Sequence, residues 1–160
     1  MAMTGGDTEM AHAKGEKTGQ GYDTPREPLA GNPPSILILD DDPDILYAAT
    51  TLLGRNGLCA VGVATMEEAL LQMERLPIRV VILDLIMPGV SDIAAFNAIR
   101  ERQPGMPIII STGIGFHNIK TEMIRAPQVY VLEKPYSCSA LCAAVAEVLF
   151  DAVDADREGG

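Results

Sequence analysis

The chain has 160 residues, of which 48% are hydrophobic and 21% charged, enough for one domain with a proper core and too few for two comfortable ones. Twelve Lys and Arg stand against 22 Asp and Glu, a formal net charge of −10. That balance argues against a nucleic-acid surface, because neutralising phosphates needs a basic patch. No apolar run reaches the roughly 18 residues of a membrane span, and no secretory signal is visible. Three cysteines (Cys59, Cys138 and Cys142) lack zinc-like spacing, so a reducing, cytoplasmic compartment is expected.

In chain order, Met1 to Pro34 holds six glycines and four prolines with no periodicity, and reads as a flexible tail. Ser35 to Leu39 is a short, solid apolar run, a buried strand by length and branching. Asp42-Pro43 offers a helix cap followed by proline at the first helical position, and that helix stops at Gly57. A weak strand follows near Cys59 to Val63. Thr65 to Glu68 spells a capping box, opening a helix that ends before Pro77. Val80 to Leu83 is another buried strand, followed by Met87-Pro88-Gly89 and a helix over Ile93 to Gln103. Ile108 to Ser111 is the fourth strand and Phe116 to Arg125 a poorly patterned fourth helix. Val129 to Leu132 is the fifth strand. Ser137 caps a last helix, in which Cys138 and Cys142 read as small packing residues, and Asp154 to Gly160 reads as a second tail. Five strands alternating with five helices over 35–153 imply a doubly wound α/β domain, its parallel sheet covered on both faces. Such sheets collect ligands outside the carboxyl ends of their strands, at the point where the strand order reverses.

The residues at those ends carry the chemistry. Strand one ends in Asp40, Asp41 and Asp42, strand three in Asp84, strand four in Ser111-Thr112, and strand five in Glu133-Lys134-Pro135. Carboxylates brought within about 5 Å repel by about 3 kcal/mol per pair at an effective dielectric of about 20. A hard divalent cation such as Mg²⁺ would offset this. Lys134 adds a positive charge and Thr112 a hydroxyl donor. Acids, metal, lysine and hydroxyl together describe phosphoryl transfer. There is no glycine-rich phosphate loop, no nucleotide fingerprint and no Ser-His-Asp arrangement, and His12 and His117 read as solvated side chains. The phosphoryl group is therefore expected from a source other than bound ATP, with a carboxylate as its covalent acceptor.

Four stretches carry a family resemblance: Ile36 to Pro43, Val80 to Gly89, Pro107 to Gly113 and Leu132 to Tyr136. Together they resemble the receiver domain of response regulators in bacterial two-component signalling, over about Ser35 to Val153. Each motif is short, but their order and separations (44, 28 and 22 residues between Asp40, Asp84, Thr112 and Lys134) make the match specific. The resemblance implies a flavodoxin-like fold with strand order 2-1-3-4-5 and a cis Lys134-Pro135 peptide. It implies Asp84 as phosphoacceptor from a phosphohistidine on a histidine kinase or histidine phosphotransfer protein. It further implies Mg²⁺ held by Asp41, Asp84 and the backbone carbonyl of Ile86, with Asp40 reaching it through water. Lys134 and Thr112 would contact the phosphoryl oxygens, and the face of helix four, strand five and helix five would switch for an unidentified downstream protein. Only self-phosphorylation and slow autodephosphorylation are implied as catalysis, with no direct contact to nucleic acid or membrane.

Several positions depart from that family's pattern. The aromatic residue usual three positions before the lysine is Val131, and Tyr130, one place early, should face the other side of the sheet. Asp92 stands where a glycine is usual, and is expected to tolerate the backbone there or to cap helix three. Ile86 and Ile114, two residues beyond Asp84 and Thr112, are apolar where the family controls water access, which suggests a long-lived acyl phosphate. Arg100 and Arg102 read as a solvated helix face. Two rivals remain. A haloacid-dehalogenase-type phosphatase would use Asp40-x-Asp42, Thr112-Gly113 and Lys134-Pro135, but lacks a later acidic pair and leaves Asp84 unexplained. A receiver-fold scaffold working without phosphate would have little reason to keep mutually repelling acids. Too few residues follow the last helix for a DNA-binding unit, so a stand-alone receiver is expected, with output through a partner protein or a role as a phosphate relay.

Overall fold

The computed structural model describes residues 35–158, so the expected N-terminal tail and His12 lie outside the described residues. Four-residue β1 (Ile36–Leu39) is wholly buried, as its unbroken apolar run requires. Asp42 then caps α1 (Pro43–Arg55), its carboxylate accepting from the backbone N–H of Asp44 at 2.9 Å, with Pro43 in the first turn. Asn56 ends that helix, and Gly57 takes the left-handed φ of +77° that turns the chain back toward β2 (Ala60–Val63). Thr65 caps α2 (Met66–Arg75) by accepting from Glu68 N–H at 3.2 Å. Next come β3 (Val80–Asp84) and α3 (Asp92–Arg102), the latter capped by Ser91. The strand β4 (Ile108–Thr112) is as thoroughly buried as β3.

The fourth helix departs from expectation. It is broken into a 3₁₀ turn, Phe116–Asn118, and a single α-helical turn, α4 (Thr121–Ile124), separated by the extended residue Ile119. Neither piece has a side-chain cap, and Pro127 biases Ala126 away from helix, so nothing in the local sequence lengthens them. Ile119 and Met123 are the buried anchors of this segment, with Ile124 and Ala126 packing partly against the same core. The chain then enters β5 (Val129–Glu133) through Gln128, at a left-handed φ of +56°. The Lys134-Pro135 peptide is cis, and Ser137 caps α5, accepting from Ala140 N–H at 3.1 Å. That last helix, α5 (Cys138–Glu158), runs past Val153 through the stretch expected as a tail. The residues there are ordinary helix formers with no glycine before Gly159, so no stop signal intervenes.

All five strands are parallel, in the order β2-β1-β3-β4-β5. Side-chain alternation divides the core in two. On one face Leu37, Leu39, Val81, Leu83, Ile108 and Ile110 meet Ala69 of α2, Phe96 and Ile99 of α3, and Met123 of α4. On the other face Ile36, Ile38, Val80, Ile82 and Ile109 meet Ala49 and Leu53 of α1 and Leu141, Val145 and Val148 of α5. Arg100 is not merely solvated. It donates to the carbonyl oxygens of Pro104 and Pro127 and stacks on Phe96, tying the end of α3 to the turn before β5. Arg102 pairs with Glu74 of α2.

Because Ile109 is fully buried on a strand flanked on both sides, truncation there leaves a cavity that cannot collapse easily. Ile109→Ala is expected to lower the unfolding free energy by about 3 kcal/mol, read from the shift in denaturant midpoint, whereas a loss under about 1 kcal/mol would contradict this packing.

Candidate functional site

The strand order reverses between β1 and β3, since the chain leaves β1 for β2 on one side and returns on the other to build β3, β4 and β5. A crevice opens outside the carboxyl ends of these two strands. Leu39 of β1 pairs in register with Leu83 of β3, so the next residues, Asp40 and Asp84, stand level with each other. Both carboxylates are nearly buried, at 3% and 7% exposure, while Asp41 is exposed at the rim. Carboxylate oxygens of Asp40, Asp41 and Asp84 all lie within 4.8 Å of one another.

Each carboxylate is held by the chain that follows it. Asp40 Oδ1 accepts from the N–H of Asp42 at 2.9 Å, and Asp84 Oδ1 accepts from the N–H of Ile86 at 3.1 Å. Such turns fix the rotamer and leave the second oxygen free to face the crevice. Lys134 reaches over from the far edge strand, crossing the end of β4. Its ammonium donates to Asp40 Oδ2 at 2.8 Å and lies 3.6 Å from Asp84 Oδ2.

The electrostatics follow from this crowding. Burial pushes the Asp84 carboxyl above its ordinary range. The Ile86 hydrogen bond and the Lys134 charge pull it down, and the charges of Asp40 and Asp41 push it up again. For Lys134, burial alone would lower the ammonium, but the hydrogen bond to Asp40 and the charges of Asp84 and Asp40 outweigh it, leaving it above its ordinary value. The net result is one lysine shared by two nearly buried acids, with a third acid at the rim.

Thr112 does not join this group. Its hydroxyl accepts from Ile114 N–H at 3.1 Å and lies 3.3 Å from the Ile114 carbonyl oxygen, bonded to its own loop rather than to the pocket. Ile86 is 55% exposed beside the acids and Ile114 is half-buried. Tyr130 faces α5, as the one-residue shift demands, and its hydroxyl donates to Asp151 at 2.9 Å. Burial, that bond and the charges of Asp151 and Glu147 push the phenol up to about 12. Val131 packs on the opposite face. Asp92 does not cap α3, because Ser91 already does; it pairs instead with Lys120, 3.2 Å away, ahead of α4. Sequence reasoning missed this pair and the bond from Phe116 N–H to Glu133 Oε1 at 2.9 Å. No local pattern marks either contact, as both join residues far apart in the chain.

A doubly wound sheet with paired acids at its switch point and a lysine laid across them belongs to the class of α/β domain that gathers its ligands outside the carboxyl ends of its strands. The response regulator receiver domain model matches residues 36–146, and the chain belongs to that family. It is 30% identical over 108 residues to the C4-dicarboxylate transport transcriptional regulatory protein DctD of Rhizobium meliloti, covering 68% of this chain and 24% of that one. It is 31% identical over 133 residues to the transcriptional regulatory protein GlrR of Escherichia coli, covering 81% of this chain and 29% of that one. The chain thus spans less than a third of the length of these two regulators. The solved receiver domain of the Francisella response regulator 1452 superposes with a TM-score of 0.65 at 25% identity, over 74% of this chain and 98% of that one. The family takes its phosphoryl group from a kinase and uses Mg²⁺ at an acidic pocket. Among the described residues no helix is long and apolar enough to cross a membrane.

Because the folded protein holds the Asp84 carboxyl above its ordinary value, ionising it opposes folding, the reverse of a carboxylate stabilised by its partners. Its unfavourable contribution is absent at pH values below the ordinary carboxylate range and grows as pH rises through the Asp84 titration. Asp84→Asn is therefore expected to be more stable than wild type at pH 7, with the difference shrinking toward pH 4. Urea midpoints of the two proteins across that range check this, and a pH-independent difference would contradict it.

Proposed function

We propose that the chain accepts a phosphoryl group on Asp84 from a phosphohistidine of a histidine kinase or a histidine phosphotransfer protein. The free oxygen of the Asp84 carboxylate attacks phosphorus, the P–N bond to the donor imidazole breaks, and the imidazole leaves with the electron pair. One observation carries this reading above the others. Asp84 is the nearly buried acid whose first oxygen is fixed by Ile86 N–H and whose second lies 3.6 Å from Lys134, facing Asp40 and Asp41. A nucleophile held in one rotamer beside a cation has its orientation cost removed before the donor arrives.

The donor set fits a hard divalent cation: three carboxylates converge, one of them at an open rim, with no nitrogen or sulfur ligand among them. Asp41, Asp84 and the Ile86 carbonyl oxygen would hold Mg²⁺, with Asp40 reaching it through water. The bound ion would neutralise charge on the phosphoryl oxygens. Lys134 exchanges part of its Asp40 contact for a phosphoryl oxygen, and the Thr112 hydroxyl turns from Ile114 to donate to another. Ile86 and Ile114 flank the acyl phosphate with apolar surface and slow its hydrolysis. The signal leaves through the face of α4, β5 and α5 to a downstream protein, in the cytoplasm. Catalysis goes no further than the chain's own phosphorylation and its slow reversal.

Incubation with acetyl phosphate and Mg²⁺, followed by intact mass spectrometry, should add one phosphoryl group to wild type and none to Asp84→Asn. After donor removal, a variant with polar residues at 86 and 114 should lose the group severalfold faster. Equal uptake by Asp84→Asn would contradict the assignment of the acceptor. Absence of uptake by wild type would favour a scaffold, and continuous release of phosphate a phosphatase.

A further inference from the structure

Building on that reading, we propose that Glu133 is a positioning residue for Thr112, a latch that holds the hydroxyl away from the phosphorylation site until the phosphoryl group arrives. Glu133 and Thr112 are partners in the ladder between β5 and β4, and Lys134 N–H donates to the Thr112 carbonyl oxygen at 2.8 Å. The backbone of Glu133 is thus fixed against that of Thr112. Its side chain reaches forward to accept from Phe116 N–H at 2.9 Å. Residues Gly113, Ile114 and Gly115 therefore form a short strap, closed at one end by the ladder and at the other by a carboxylate.

The same strap carries both partners of the Thr112 hydroxyl, the N–H and the carbonyl oxygen of Ile114. Thr112 cannot donate to a group on Asp84 while it keeps those contacts. Releasing them frees Ile114 and shifts a strap only three residues long, so the bond between Phe116 and Glu133 is strained or lost in the same movement. Two arrangements of one loop are thus biased by two sites, which is the physical condition for coupling. The carboxylate is the stronger kind of acceptor for a backbone N–H, and its exposure keeps the bond weak enough to break. Phe116, 44% exposed, lies with Glu133, Val131, Val129 and Ile124 around a groove between α4 and β5, so opening the latch also re-shapes that face.

The test compares wild type, Glu133→Ala and Glu133→Gln, the last retaining a neutral acceptor. Amide exchange of Phe116 reads the latch, exchange of Ile109 reports that the fold is intact, and beryllofluoride with Mg²⁺ probes the phosphorylated-like state. In Glu133→Ala the Phe116 amide should exchange faster while Ile109 is unchanged. Half-saturation by beryllofluoride should fall about threefold to tenfold, the range of a modest coupling between sites, with Glu133→Gln in between. Unchanged Phe116 exchange, or faster exchange with unchanged or weaker beryllofluoride binding, would overturn the latch and leave the receiver reading standing. Failure of wild type to bind beryllofluoride would overturn both.

Discussion

Everything else in the molecule follows from the repulsion among Asp40, Asp41 and Asp84, which Lys134 and the backbone N–H groups of Asp42 and Ile86 offset only in part. At separations below 4.8 Å each carboxylate pair costs about 3 kcal/mol at an effective dielectric of about 20, and less where Asp41 is exposed to water. One ammonium shared between two nearly buried acids does not cancel that. Asp84 sits above its ordinary value chiefly because it is buried, and the charges of Asp40 and Asp41 add to this against a backbone hydrogen bond and a nearby cation. A site left short of positive charge favours whatever brings it, and the charge of a cation is what an incoming phosphoryl group also needs.

The fold supplies this crowding at little cost elsewhere. Solid apolar runs bury β1, β3 and β4, and the parallel register sets their carboxyl ends level, so acids far apart in sequence meet without any loop having to search for them. The segment between β4 and β5 is built differently. It has one 3₁₀ turn, one α-helical turn, two buried anchors, and exposed polar ties from Glu133 and Lys120. Regions with few buried contacts open at low free energy, which suits a part that must change shape. On the proposed reading, rigid acids and a loosely tied neighbouring loop divide the work: the first take the phosphoryl group and the second carries its effect outward.

How much of this could be read from sequence depended on range. The buried strands were legible because their apolar runs end abruptly in Asp40, Asp84, Ser111 and Glu133, and the caps at Asp42, Thr65 and Ser137 were legible because capping is chemistry within three residues. The broken fourth helix was not, since Ile119 and Met123 anchor it through tertiary burial that no periodicity marks. The extra turns of α5 were missed because acidic, alanine-rich sequence reads equally as tail or exposed helix. Arg100 looked solvated because its partner, the Pro127 carbonyl, lies a whole strand away in sequence. Asp92 was expected to adjust a turn or cap a helix, and pairs with Lys120 instead because Ser91 stands one residue closer to the cap.

Converging acids leave the pocket short of positive charge. Thermal unfolding measured against Mg²⁺ concentration, with ionic strength held constant by sodium chloride, tests it most directly. A saturable rise in Tm for wild type that disappears in Asp84→Asn is the expected result, because binding to the folded state alone stabilises by mass action. An unfolding temperature that ignores Mg²⁺, or rises equally in both proteins, would mean the three carboxylates do not form the site described.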